Sequence, residues 1–282
     1  MGRTLETVHT GIDFGEGPRW HDGRLWLSDF YNHHVLSLGP GGDARVEVTL
    51  DDAPSGLGWL PNGELLVVAM SSRQVRRVDA AGGIHLHADL SSIATGNCND
   101  MVVDGTGNAY VGNFGFDLDA REKPRPAHLA LVRPDGSTEV AAPDLLFPNG
   151  TVITPDGRTL IVGESMGRRY SAFTINADAT LSDRRVWAEL ATMAPDGCAL
   201  DAEGAIWMAD AAGSGCVRLC EGGEVAETIV ASQPVFACAL GGEQRRTLYL
   251  LTAPGFGEDT AAGKGLGRVE CVEVDVPGAG WP

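Results

Sequence analysis

The chain has 282 residues, 38 of them glycine, and a formal net charge of −17. That length suits one all-β domain, such as a barrel or propeller. The acidity makes phosphate backbones and anionic lipid surfaces poor partners while attracting cations, so neither nucleic acid nor membrane is expected as a partner.

The start, Met1-Gly2-Arg3-Thr4-Leu5-Glu6, is not followed by an apolar signal core. No apolar run approaches the roughly 20 residues of a bilayer span, so a cytoplasmic location is the default expectation. The six cysteines, Cys98, Cys198, Cys216, Cys220, Cys238 and Cys271, form no CxxC pair, so zinc-ribbon and thioredoxin-like readings fail on spacing. They read as reduced, mostly buried thiols.

In chain order, six segments share one design of apolar strand, glycine-bearing turn and apolar strand: 17–29, 56–68, 99–113, 147–164, 196–210 and 236–251, the last with a degraded turn. The turn glycines Gly23, Gly63, Gly107, Gly157 and Gly204 are spaced by roughly 40 to 50 residues, the span of a four-stranded propeller blade. Stretches 34–38, 74–78, 130–133, 170–175 and 216–219 read as third strands, and 45–50 and 139–142 as outer fourth strands. The ends, 4–8 and 267–275, are strand-like and can share the last blade. The expectation is an all-β, six-bladed β-propeller forming a single domain over 1–282, with a metal site in its central channel. Radial repetition of this kind leaves few exposed sheet edges. A pair of β-sandwiches is the alternative fold, but it leaves the constant repeat unexplained. The charged, proline-rich stretch 114–128 reads as a loop over one face.

Four unit starts carry an oxygen-bearing residue in register: Glu16 in Gly15-Glu16-Gly17-Pro18, Asn99 in Asn97-Cys98-Asn99-Asp100, Asn149 in Pro148-Asn149-Gly150, and Asp196 in Pro195-Asp196-Gly197. Pro-Asn-Gly and Pro-Asp-Gly are ordinary turn sequences, as at Pro61-Asn62-Gly63 and Pro155-Asp156-Gly157. Position before the first strand of a unit separates Asn149 and Asp196 from these. Two carboxylates and two amides suit a hard divalent cation, and a summed charge of about −2 balances Ca²⁺, whose roughly 6–8 oxygen ligands would be completed by water or substrate. Zn²⁺, Mn²⁺ and Mg²⁺ are alternatives, although no His or Cys sits at an equivalent position. His33, His34, His85 and His87 read as surface or strand residues. Gly-x-Ser-x-Gly is absent, and Ser214 sits between glycines in a loop, so a serine-hydrolase elbow finds no support.

These motifs, together with Gly15-Glu16-Gly17-Pro18-Arg19-Trp20, resemble the senescence-marker-protein/gluconolactonase/luciferin-regenerating-enzyme family over about residues 10 to 275. The resemblance implies one catalytic divalent metal, usually Ca²⁺, and hydrolysis of a small-molecule lactone. Carried over, Glu16, Asn149 and Asp196 match metal ligands, and Asn99 matches an amide that ligates the metal or contacts substrate. Asp196 and Asn99 are then the catalytic candidates, with Asp196 able to take a proton from the attacking water. Asp100 would orient Asn99 from behind or cap a turn, and Asn97, Asn113, Phe114, Phe147 and Met166 could line the pocket. Sugar-lactone members commonly have arginine where this chain has Asn97, which favours a smaller or less polar lactone at least as much as a gluconolactone. Other chemistry on the same Lewis acid, ester or phosphotriester hydrolysis or metal-enolate carbon–carbon chemistry, is an alternative, as is a non-catalytic binding propeller. No oligomeric state is implied.

Overall fold

Runs such as Leu65-Leu66-Val67-Val68 are aliphatic and partly β-branched, which suits a pleated surface packed on both faces. Glycines with positive φ, such as Gly23 at 74° and Gly157 at 70°, reverse the chain between such runs. The computed structural model describes residues 3–118, 120–213 and 215–281. Met1, Gly2, Asp119, Ser214 and Pro282 lie outside the described residues.

The chain starts with β1 (Glu6–Ile12) and then builds antiparallel sheets in sequence order. The first holds β2 (Gly15–His21), β3 (Arg24–Asp29), β4 (His34–Leu38) and β5 (Ala44–Thr49). The second holds β6 (Pro54–Trp59), β7 (Leu65–Ala69), β8 (Gln74–Val78) and β9 (Ile84–Asp89). The third holds β10 (Cys98–Val103), β11 (Ala109–Asn113), β12 (Ala127–Val132) and β13 (Thr138–Leu145). The fourth holds β14 (Pro148–Ile153), β15 (Thr159–Glu164), β16 (Arg169–Ile175) and β17 (Leu181–Glu189). The fifth holds β18 (Pro195–Leu200), β19 (Ile206–Asp210), β20 (Gly215–Leu219) and β21 (Val225–Val230).

The sixth sheet runs β22 (Val235–Gly241), β23 (Thr247–Thr252), β24 (Gly267–Glu273) and then β1. The first strand of the chain is therefore the outer strand of the last sheet, with Glu6 opposite Cys271 and Ile12 opposite Gly267. Each inner strand contacts the inner strands of its two neighbours, and β22 returns to β2. The fold is an all-β six-bladed propeller. The expected third strands at 34–38 and 74–78 match β4 and β8, and the five turn glycines all take positive φ.

The core lies between blades. Val152, Ile161, Tyr170 and Trp187 of the fourth blade pack on Cys198, Leu200, Ile206 and Met208 of the fifth. All six cysteines are free. One helical turn, α1 (Glu258–Ala261), lies in the β23–β24 connection, which Asp13 tethers by accepting from the Gly263 and Gly265 amides at 2.7 and 2.8 Å. After β24 the chain crosses the end of the channel opposite the unit starts. The Ala279 amide donates to Leu200 and the Trp281 amide to Ile153. Among the described residues, no helix is long and apolar enough to cross a membrane.

Candidate active site

Strand pairing sets the site's geometry. Gly15, Pro54, Cys98, Pro148, Pro195 and Val235 each pair with the last residue of the next strand out. The residues that follow them, Glu16, Ser55, Asn99, Asn149, Asp196 and Phe236, thus occupy one register position in all six blades. In every blade a β-bulge follows directly. An inserted residue bends the strand and re-aims its side chain, a device common beside active sites.

In the first, fourth and fifth blades the approach to the inner strand is pinned by an acidic residue at the end of the second strand. Asp29 accepts from the Phe14 amide, Glu164 from Leu146 and Asp210 from Ala194. Glycine follows the register position in four blades, and Gly150 shows why. A Cβ there would overlap the Asp196 carbonyl oxygen on the neighbouring inner strand.

The four oxygen-bearing residues singled out in the sequence are all buried. Asn149 donates from Nδ2 to Asp196 Oδ1 at 2.6 Å and to Ser165 Oγ at 3.2 Å. Ser165 in turn donates to the Pro195 carbonyl at 2.6 Å, so two blades are joined through it. Among the described residues, Glu16 accepts only a 3.2 Å bond from the Gly17 amide. Three buried polar atoms at the shared position have no partner among the described residues: Ser55 Oγ, Asn99 Nδ2 and Asn149 Oδ1. Buried polar groups are normally satisfied, and these three orphans fall at one register position on consecutive blades.

The electrostatics agree. Burial, then the charges of Asp196 and Asp100, hold the Glu16 carboxyl well above the ordinary carboxylate range. Burial pushes Asp196 up to about 7, against the opposing hydrogen bond from Asn149 and with the charge of Asp100 adding to the rise. Two carboxylates that resist ionisation without a countercharge form a site a cation would stabilise.

Asp100 is placed differently from either expectation. Among the described residues it makes no hydrogen bond to the Asn99 amide or to a turn, and accepts from Arg19 Nη2 at 2.5 Å. Arg19 also donates to the carbonyls of Pro18, Leu57 and Met101, and both side chains are almost fully buried. This pair crosses from the first blade to the third just past the register position.

The proposed lining residues lie on the same face. Phe114 stacks on Phe147 with centroids 4.4 Å apart and planes at 13°. Phe147 takes φ 63°, uncommon for a bulky residue. Met166 is exposed beside Ser165, and the half-buried Asn97 accepts the Phe114 amide at its carbonyl. Asn113 is buried with its amide engaged on both sides, donating to the His128 carbonyl and accepting from the Gly115 amide, so it holds the 114–128 loop. Phe14, Phe30, Tyr31, Phe236 and Phe256 make a second aromatic group on the first and sixth blades.

Residues 14–254 match the SMP-30/Gluconolactonase/LRE-like region. The chain belongs to this family. A pentonolactonase of Haloferax volcanii is 28% identical to this family member over 265 residues, covering 92% of this chain and 87% of its own. A 6-deoxy-6-sulfogluconolactonase of Pseudomonas putida is 25% identical over 293 residues, covering 100% and 99%. The fold is shared with a calcium-binding regucalcin of Agrobacterium tumefaciens, with a TM-score of 0.84 at 21% identity over 100% of this chain and 97% of that one.

Sequence reading missed Ser55, Phe236, Ser165 and Arg19. Ser55 and Phe236 could have been found by carrying the alignment of unit starts through the second and sixth repeats. The Arg19–Asp100 pair, 81 residues apart, leaves no local signal.

Proposed function

We propose that this chain is a divalent-cation-dependent lactone hydrolase acting as one domain, with Ca²⁺ as the best-suited ion. The carrying observation is the set of orphaned polar atoms on three adjacent blades, flanked at the same register by two carboxylates with raised proton affinity. The names of the two curated relatives, both lactonases of sugar-derived substrates, and the calcium-binding regucalcin neighbour support it.

The donor set fits such an ion. Glu16 and Asp196 supply the negative charge, and Asn149 Oδ1 is a buried acceptor with no donor. Asn99 presents an unpaired Nδ2, and the same amide turned about its last bond presents Oδ1. Oxygen-only coordination of this kind suits Ca²⁺ better than zinc or copper. When bound, a divalent ion supplies Lewis-acid polarisation of a carbonyl and lowers the pKa of a coordinated water.

The chain's own groups do the rest. Asn99 donates from Nδ2 to a substrate oxygen. Asp196, with a proton affinity near 7 before any cation is bound, accepts the proton of the attacking water on its carboxylate, and Asn149 fixes that carboxylate's orientation. Phe114 and Phe147 offer a flat apolar wall beside Asn97, which favours a lactone with an apolar face over a fully hydroxylated one.

The test is hydrolysis of a lactone panel by purified protein after chelation and after restoring Ca²⁺, Mn²⁺, Mg²⁺ or Zn²⁺. Turnover lost on chelation and restored by a divalent ion supports the proposal. Metal binding without turnover of any lactone would move the chemistry to other esters or to carbon–carbon bonds, and neither binding nor turnover would leave a binding propeller.

A further inference from the structure

At the opposite end of the channel from Glu16 and Asp196, the inner strands finish in aromatic residues: Trp20 and His21 on β2 and Trp59 on β6. The chain's last segment adds Trp281, held across the fifth and fourth blades by the backbone bonds of Ala279 and Trp281. Together these residues line a chamber of about 320 Å³. That is within the range of small-molecule pockets, and its aromatic lining is typical of them. His21 and Trp59 stack with centroids 3.8 Å apart and planes 8° from parallel, which fixes both rings. Burial lowers the His21 pKa, which keeps the imidazole uncharged at neutral pH.

Three charged residues face this chamber besides His21. Arg19 is occupied by Asp100 and three carbonyls. Asp104 is occupied within its own turn, accepting from the Thr106 amide and hydroxyl and from the Asn108 amide and side chain. Arg245 is different. Among the described residues its guanidinium makes no hydrogen bond or ion pair, and its Nε is buried with no acceptor. Burial lowers its pKa. A half-buried guanidinium without an acceptor is costly to keep unless something completes it.

We propose that this chamber is a second small-molecule site that binds an aromatic carboxylate, the ring against Trp59, Trp20 and Trp281 and the carboxylate on Arg245. Guanidinium is a planar fork matched to a carboxylate. One unpaired cation balances one negative charge, and a net charge of −17 works against ligands carrying more. The Arg19–Asp100 pair lies between this chamber and the hydrolytic register, so the two sites are separate. The inference does not rest on the hydrolase reading.

Titration calorimetry with benzoate tests it, with benzamide and acetate as probes lacking the charge or the ring. Saturable benzoate binding is expected, stronger than that of either control, and weakened about tenfold or more by Arg245→Met, whose ligand-free melting temperature should be at or above that of the parent. Trp59→Leu should weaken benzoate and leave acetate unaltered. If Arg245→Met does not fold, Arg245→Gln takes its place. Glu16→Gln should leave benzoate binding intact, which separates failure here from failure of the hydrolase reading. No saturation up to about 10 mM, or benzoate binding indifferent to the loss of the Arg245 charge, would overturn the proposal.

Discussion

Asn149 donates its Nδ2 to Asp196 Oδ1 over 2.6 Å, while the carbonyl oxygen of the same amide is buried and receives no donor. One side chain therefore orients a carboxylate with one end and offers an unclaimed acceptor with the other. Asn149→Asp keeps an oxygen at both ends but sets two acids against each other. It is expected to raise the proton affinity of the pair and weaken cation binding at neutral pH. Asn149→Ala should weaken it at every pH. Calorimetric Ca²⁺ titrations of the parent and both variants at pH 6 and pH 8 check this, and parent affinity retained by both variants at each pH would remove Asn149 from the ligand set.

Glu16 is buried with one weak backbone bond and two nearby acids. Glu16→Gln removes a charge that the cation-free fold holds at a cost, so the chelated variant should melt at or above the parent temperature. Its Ca²⁺ affinity should fall at least about tenfold through loss of the charged ligand. Full affinity retained in this variant would contradict its role as a ligand.

Asp196→Asn keeps the bulk of the side chain and a hydrogen-bond partner for Asn149 but removes the proton acceptor. Lactone turnover should drop by about 10²-fold or more. A kcat close to the parent value, measured with cation saturating, would assign proton transfer elsewhere.

The pH dependence follows from Glu16 and Asp196 together. Both hold protons more tightly in the fold than in the unfolded chain, where their values are near 4.5 and 3.8. Their contribution to stability is fully present below those values and is lost as pH rises, through about 7 for Asp196. In chelated protein this pair favours pH 5 over pH 8. Cations and protons compete for the same oxygens, so Ca²⁺ should raise the melting temperature more at pH 8 than at pH 5. Differential scanning calorimetry at both values decides it, and a larger Ca²⁺ shift at pH 5 would reverse the assignment.

Arg19→Met leaves Asp100 buried without its cation, and breaking such a pair from one side costs about 3–5 kcal/mol. Arg19→Met combined with Asp100→Leu should recover much of that loss. Urea unfolding of the two variants measures the difference, and equal midpoints would show that the pair carries no such coupling.

Repetition made most of this legible. A glycine turn recurring in five units located blades, and Pro148-Asn149-Gly150 could be separated from the similar Pro155-Asp156-Gly157 only because Glu16, Asn99 and Asp196 occupy the same phase. What escaped has a shared physical reason. Ser55 and Phe236 sit in that phase but are neither carboxylate nor amide, so a search for ligand chemistry passed over them. Arg19 and Asp100 meet across the channel, and Trp281 reaches Ile153 through the chain's last segment. Contacts of such sequence separation depend on ring closure rather than on local pattern.

That closure has a kinetic consequence. Because β1 hydrogen-bonds to β24, β1 cannot find its partner until all five intervening blades and most of the sixth have been made. Loop-closure entropy over that span must be met before the last contact forms. Docking of the N-terminal strand is therefore expected to be the final step of assembly. A permuted chain whose ends were moved to the Gly157 turn would carry β24 and β1 in one continuous piece, letting the sixth blade form early.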